Sequence, residues 1–293
     1  MNPTPPRRIG ATGVHPVGLG LAALSFDRAH DPDRAAHTIT AALDSGIGLL
    51  DTAHAYTTAT EDHHNERLVA RSLRGVPAGD RPLVSTKGGH YRSGDTFPVD
   101  GRAETLHRHC EGSLRALEVE RIDLYHLHWP DPQVPITDSV GALAELRQQG
   151  KIGLIGLSNV DLGQLTLARG EADIATVQNP WSLFDPGDDE VLAFCRRSGI
   201  AFLAYSPLRG MSTAGPRLTR ALEGVAAQYG ATTARIALAW LLARSPSLVA
   251  VSGATRPETV RDSAAAALIT LAPEHLQLLD GAADGPGPAG PGY

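Results

Sequence analysis

The chain has 293 residues, 42% of them hydrophobic and 20% charged, enough apolar material for a large core. Its 26 Lys and Arg against 32 Asp and Glu leave a formal charge of −6, which argues against a nucleic-acid binder, since phosphate binding needs a positive field. No run of about 18 apolar residues suggests a membrane span, and MNPTPPRRIG lacks the apolar segment of a signal peptide. Two cysteines without ligand spacing, Cys110 and Cys195, fit a reducing cytoplasm. The pairs Arg7-Arg8 and Arg196-Arg197 are expected as solvated surface charge.

In chain order, RRIGATGVHPVGLG carries a turn signal, GATG, between two short apolar pieces. It predicts a β-hairpin within residues 1–16 leading into a strand at 17–20. DPDRAAHTITAALDSG is a helix that Asp31 caps, Pro32 opens and Gly46 stops. IGLLDT is the next strand and HNERLVARSL a helix. RPLVSTK is followed by RAETLHRHCEGSLRAL, and RIDLYHLHW by PITDSVGALAELRQQGK. Then come KIGLIGLSN with DLGQLTLARG, IATVQN with DDEVLAFCRRSG, IAFLAYSP with TTARIALAWLLARSP, and SLVAVSG with RPETVRDSAAAAL. Strict alternation with apolar strands implies a parallel sheet covered by helices. Eight such units in this length predict an α/β fold with one domain over residues 1–293, a single (β/α)8 TIM barrel. No GxGxxG lies between the first strand and its helix, which weakens an open dinucleotide-binding sheet. The Gly/Pro-rich end, residues 282–293, is expected as a flexible tail.

Barrel chemistry sits at the C-terminal ends of the strands. Those ends carry Asp51, Lys87 and His128, then Ser158-Asn159, Gln178-Asn179 and Tyr205-Ser206, with Tyr56 on the loop after Asp51. A tyrosine of pKa about 10 is a poor proton donor near neutrality. A lysine cation beside it favours the phenolate and lowers that pKa, and a carboxylate such as Asp51 keeps a half-buried lysine charged. With a histidine to polarise a carbonyl oxygen, such a group protonates that oxygen while its carbon is attacked. Each residue alone has a plainer reading: a helix-capping Asp, a surface Lys, a loop-anchoring Tyr. Their coincidence favours chemistry. His126 and His128 alternate onto one strand face, and if that face points inward His126 lies one layer deeper. A metal pair, one catalytic histidine, or two core histidines are all open at this point. His63 and His64 in TTATEDHHNE read as exposed loop residues, and no metal set is expected.

DTAHAY, STKGG, DLYHLHWPD, GKIGLIGLSN, VQNPWS, AYSPLRG and VSGATRPETVRDS together closely resemble, in order, the segments of the aldo-keto reductase family over nearly the whole chain. The resemblance implies a catalytic set of Asp51, Tyr56, Lys87 and His128, with Tyr56 as general acid and Lys87 lowering its pKa. It selects His128 over His126, because the family histidine precedes an aromatic-Pro pair, here Trp129-Pro130. It implies NADP(H), with NADH the open alternative. Gly20, Leu21 and Asp51 would lie beside the dinucleotide. Ser158, Asn159 and Gln178 would bind the carboxamide and Tyr205 would stack on the nicotinamide. Ser206, Pro207, Leu208 and Gly210 would follow the pyrophosphate. Gly253, Ala254, Thr255, Arg256, Thr259, Asp262 and Ser263 would hold the adenosine end, with Arg256 toward a 2′-phosphate. This segment departs from many NADP-using relatives, with Arg256 displaced by one and Ser263 where they carry Asn. Substrate is expected against Tyr56, His128, Trp129 and Trp181. The implied function is reduction of an aldehyde or ketone by NADPH in a cytoplasmic monomer, with a small-molecule carbonyl or alcohol as the only partner. The alternatives are a non-catalytic NADP-binding regulatory subunit and a metal-dependent barrel hydrolase using His126 and His128.

Overall fold

The computed structural model describes residues 4–26 and 31–283. A two-stranded antiparallel hairpin, β1 (Arg7–Ile9) and β2 (Thr12–Val14), precedes the barrel. The barrel strands are β3 (Val17–Gly20), β4 (Leu49–Asp51), β5 (Leu83–Gly88), β6 (Ile122–Leu127), β7 (Ile152–Ser158), β8 (Ile174–Pro180), β9 (Ala201–Tyr205) and β10 (Leu248–Gly253). They run in chain order, and β10 closes on β3. All the pairings are parallel. The (β/α)8 barrel with an N-terminal hairpin is therefore as expected.

Two apolar layers hold it. The larger fills the space between strands and helices. The smaller lies inside the barrel, where Leu49, Leu83, Leu124, Leu203 and Val249 meet Ile9 and Val14 of the hairpin. The hairpin thus plugs the barrel floor. Side chains on one face of a strand recur every two residues. Above Leu49 comes Asp51. Above Leu83 come Ser85 and Lys87, and above Leu124 come His126 and His128. The same inward faces that make an apolar floor become polar toward the C-terminal ends.

Several expectations are corrected. Arg7 is buried, not solvated: its guanidinium donates to the carbonyls of Leu242 (2.8 Å) and Leu248 (3.1 Å). This ties the plug to the last strand, while Arg8, Arg196 and Arg197 are exposed as expected. A helix at Pro216–Tyr229, between β9 and the helix Thr233–Ala243, was not anticipated, nor was a one-turn helix at Ala23–Phe26. The C-terminal region also carries a helix, Pro273–Ala282. It docks through Tyr229 Oη to His275 Nδ1 (3.1 Å) and Trp240 Nε1 to Asp280 (2.7 Å). Residues 284–293 of the expected tail lie outside the described residues. Cys110 and Cys195 are buried, and burial pushes both thiols up to about 12, which leaves them unreactive. Among the described residues no helix is long and apolar enough to cross a membrane.

One glycine is dictated by the interior. A Cβ on Gly156 of β7 would stand 2.3 Å from His126 Cδ2 and 2.4 Å from Thr176 Oγ1. Gly156→Ala should therefore destabilise the fold by about 1–3 kcal/mol through overpacking. A thermal melt reads this directly, and an unchanged midpoint would contradict the packing described.

Candidate active site

Asp51, Lys87 and His128 stand at the C-terminal ends of adjacent strands, and Tyr56 enters from the loop after β4. Lys87 is 1% exposed, and its Nζ donates to Asp51 Oδ2 (2.7 Å) and to the Thr52 carbonyl (2.8 Å). Asp51 Oδ1 accepts from Ser85 Oγ and from Gln178 Nε2, both at 3.0 Å. Lys87 Nζ lies 5.1 Å from the centroid of the Tyr56 ring. The Tyr56 and His128 rings meet edge to face at 5.8 Å. The four expected catalytic residues are brought together.

The charges in this group explain one another. Burial alone would push the Lys87 ammonium down, but Asp51 and Tyr56 beside it hold it above its ordinary value. Burial pushes the Tyr56 phenol up. The Lys87 cation pulls it down and the Asp51 anion up, and the phenol ends above its ordinary value. Lys87 thus lowers the phenol's pKa as expected, but desolvation of the phenolate outweighs that pull and sets the net direction. Burial, then the Lys87 cation, push His128 well below its usual range, so this ring is neutral.

His126 is fully buried one layer below His128. Its Nδ1 lies 3.2 Å from Ser85 Oγ and its Nε2 2.9 Å from Thr176 Oγ1. Both nitrogens are engaged by hydroxyls of the neighbouring strands, the arrangement of an interior histidine. Burial and then Lys87 push His126 down to about 3, so it too is neutral.

The expected carboxamide-binding residues cluster at the ends of β7 and β8. Ser158 Oγ donates to the Gln178 carbonyl (2.9 Å). Asn159, in the left-handed region at φ 61°, donates to the His128 carbonyl and to Ser158 Oγ, each at 3.0 Å. Its Oδ1 accepts from Tyr205 Oη (2.8 Å). These polar groups satisfy one another, so a ligand entering here must exchange with them. Asn179 clamps the neighbouring turn through both backbone groups of Val160.

A cavity of about 1690 Å³ runs from Tyr56 and His128 past Ser158, Asn159, Gln178 and Tyr205 to Ser206–Gly210, Gly20, Leu21 and Gly253. Sequence reasoning missed part of its rim. Phe26, His90 and Phe97 line it beside Trp129, and Arg209 lines the far side, paired with Asp185. His90 and Phe97 belong to the loop after β5. Its position at a C-terminal strand end was the available signal.

Other expected residues lie elsewhere. Trp181 is 3% exposed, outside the cavity lining, with its ring against Phe202. It packs a loop rather than forming an aromatic wall. The Asp262 carboxylate is held by Arg235 (2.5 Å) and Thr232 (2.7 Å) of the neighbouring helix, and Ser263 Oγ faces Ser252 Oγ (3.2 Å) beneath the surface. Ala254 is buried, Thr255 and Thr259 are half-buried, and Arg256 is exposed. None of the residues from 254 to 263 lines the cavity itself. His64, expected in an exposed loop, is buried with its Nδ1 2.8 Å from Ser25 Oγ, and His63 is largely buried against Glu66.

Comparison with known proteins agrees with this arrangement. Residues 16–284 match the model of the Aldo/keto reductase family. The chain is 32% identical over 286 residues to pyridoxine 4-dehydrogenase of Escherichia coli (strain K12), covering 93% of this chain and 96% of that protein. It superposes on the glycerol dehydrogenase from Gluconobacter oxydans with a TM-score of 0.86 at 28% identity, covering 99% of each chain. An aldo/keto reductase from Klebsiella pneumoniae, solved in complex with NADP and acetate, superposes with a TM-score of 0.82 at 29% identity, covering 95% of each chain. By that full-length match, the chain belongs to the aldo/keto reductase family of oxidoreductases.

Proposed function

We propose that this chain reduces an aldehyde or ketone to the alcohol at Tyr56, using NADPH. The observation that carries the reading is a phenol and an imidazole in edge-to-face contact at one cavity, backed by a fully buried Lys87–Asp51 pair. The cavity fits a dinucleotide together with a substrate, since ordinary ligand pockets span only about 300–1,000 Å³. Ser158, Asn159 and Gln178 would hold the nicotinamide carboxamide, and Tyr205 the ring. Gly20, Leu21 and the stretch Ser206–Gly210 would line the path to the adenosine end at Gly253–Thr259, where the exposed Arg256 would meet a 2′-phosphate. When bound, the nicotinamide supplies two electrons and a hydrogen to the carbonyl carbon.

This chain's residues supply the rest. His128 lines the cavity, and its neutral imidazole can donate a ring N–H to a carbonyl oxygen there. Tyr56 gives its phenolic proton to that oxygen as the alkoxide develops. The remaining phenolate is stabilised by Lys87, whose charge Asp51 sustains. In the alcohol-oxidising direction the same phenolate takes the proton back. The Klebsiella relative solved with NADP supports the cofactor assignment, and the Escherichia relative's name supports a small alcohol or carbonyl substrate.

Titration with NADPH and NADH by tryptophan quenching, combined with a carbonyl screen, tests this on the wild type and on Tyr56→Phe. The wild type should bind NADPH saturably and more tightly than NADH. The variant should bind NADPH nearly as well but lose about 100-fold or more in turnover, the usual contribution of a general acid. Ordinary turnover by the variant, or no saturable binding of either dinucleotide, would overturn the proposal.

The two neighbouring histidines should separate cleanly. His126→Ala loses two buried hydrogen bonds and opens a void, and should cost about 2 kcal/mol or more of stability. His128→Ala should act chiefly on kcat with a smaller change in melting temperature. The opposite pattern in paired melts and rate measurements would mean that the deeper ring is the one that meets substrate.

A further inference from the structure

Behind the loop that carries Tyr56, outside the barrel wall, lies a second cluster that the proposed reaction does not use. His54, on the loop after β4, His63, which precedes the helix His64–Ser72, and Glu66, in its first turn, each offer one ligating atom, and all three atoms lie within 4.8 Å of one another. Among the described residues this is the one such group of three. We propose that it binds a single divalent transition-metal ion of the zinc class, which ties the Tyr56 loop to the barrel.

The donor set is the right kind. Two imidazole nitrogens and one carboxylate form a recurring zinc ligand triad, with a fourth position left for water. They suit borderline ions better than calcium or magnesium, which take all-oxygen shells. Each ligand is held by its surroundings, Glu66 by a hydrogen bond and the two rings by packing. The carboxylate of Glu66 is fully buried, and its Oε1 accepts from Thr86 Oγ1 (2.6 Å). The His54 ring stacks on His109 at 3.9 Å and 17°, and His109 Nδ1 in turn accepts from the Gly89 amide (3.2 Å). The His63 ring sits against Gly112 of the helix Ala103–Leu117. A Cβ there would be 2.7 Å from its Cε1 and Nε2, so glycine makes room for this imidazole.

Within the cluster, Nδ1 of His54 is buried and has no hydrogen bond, a donor or acceptor that an ion would satisfy. His63 and Glu66 meet directly, Nδ1 to Oε2 at 2.5 Å. That contact is the competing state, a histidine–carboxylate hydrogen bond that an ion would replace while also engaging His54. The consequence for the active site follows from connectivity. His54 is two residues before Tyr56, its amide donates to the Lys87 carbonyl (3.1 Å), and Thr86 directly precedes Lys87. An ion here would pin the loop that bears the proposed acid to the strand that bears its lysine.

The test is a cobalt(II) titration of chelator-treated, dialysed full-length protein, read by visible d–d absorption, with zinc displacement and a thermal melt in zinc. The wild type should take up one equivalent saturably, lose the band to zinc, and melt at a higher temperature with zinc present. His63→Ala and Glu66→Gln, checked for folding by circular dichroism, should each bind at least about ten-fold more weakly. Absence of saturable cobalt uptake by the wild type overturns the proposal without recourse to any variant. So does uptake that is unchanged in either folded variant.

Discussion

The buried ion pair between Lys87 and Asp51 is the constraint on which the upper half of this barrel depends. Two opposite charges with almost no solvent exposure are stable only if every remaining donor and acceptor finds a partner. Here the Thr52 carbonyl accepts a second hydrogen bond from Lys87, and Ser85 and Gln178 both donate to Asp51. Removing one partner of such a pair leaves the other charge buried and typically costs about 3–5 kcal/mol. The pair also sets the protonation of what surrounds it. Burial and then the Lys87 cation keep His126 and His128 neutral, while burial, aided by Asp51, keeps Tyr56 a phenol.

The barrel makes this concentration of polar groups tolerable by separating it from a dry floor. Leu49, Leu83 and Leu124 begin the inward faces that end in Asp51, Lys87 and His128, and the hairpin seals the other end with Ile9 and Val14. His126 is the joint between the two regions. It hydrogen-bonds sideways to Ser85 and Thr176, and its ring occupies the space that Gly156 leaves. The polar layer is thereby fixed by contacts made within the interior, while the loops above it shape the cavity.

Much of this was legible in the sequence because it is local. Apolar runs ending in Asp, Lys or His mark barrel strands, and period-two spacing alone puts His126 beneath His128. The features that escaped are those decided by distant residues. Arg7 looks like a surface charge beside Arg8, and its burial depends on carbonyls more than 200 residues away. Trp181 follows a strand end as a pocket residue would, yet the neighbouring strand offers it Phe202 to pack on. The net Tyr56 shift has the same origin: the downward pull of Lys87 is local, whereas desolvation is a property of the whole surround. The helix Pro216–Tyr229 was a different kind of omission. Pro216 at its first position and Gly230 just past its end are ordinary start and stop signals that were readable in GPRLTRALEGVAAQYG.

The central claim is that a protonated Tyr56 and a neutral His128 share the cavity wall because both are buried over the Lys87–Asp51 pair. The pH dependence of kcat/KM for NADPH-driven carbonyl reduction tests it most directly. A group with a depressed histidine pKa is already neutral throughout the neutral range, and a phenol with a raised pKa loses its proton only in strong alkali. The account therefore predicts a profile without a histidine limb between about pH 6 and 8, with activity lost only on the alkaline side as Tyr56 ionises. A limb near the ordinary histidine value of about 6.5 would show that His128 titrates in the working enzyme and would contradict the electrostatic order described.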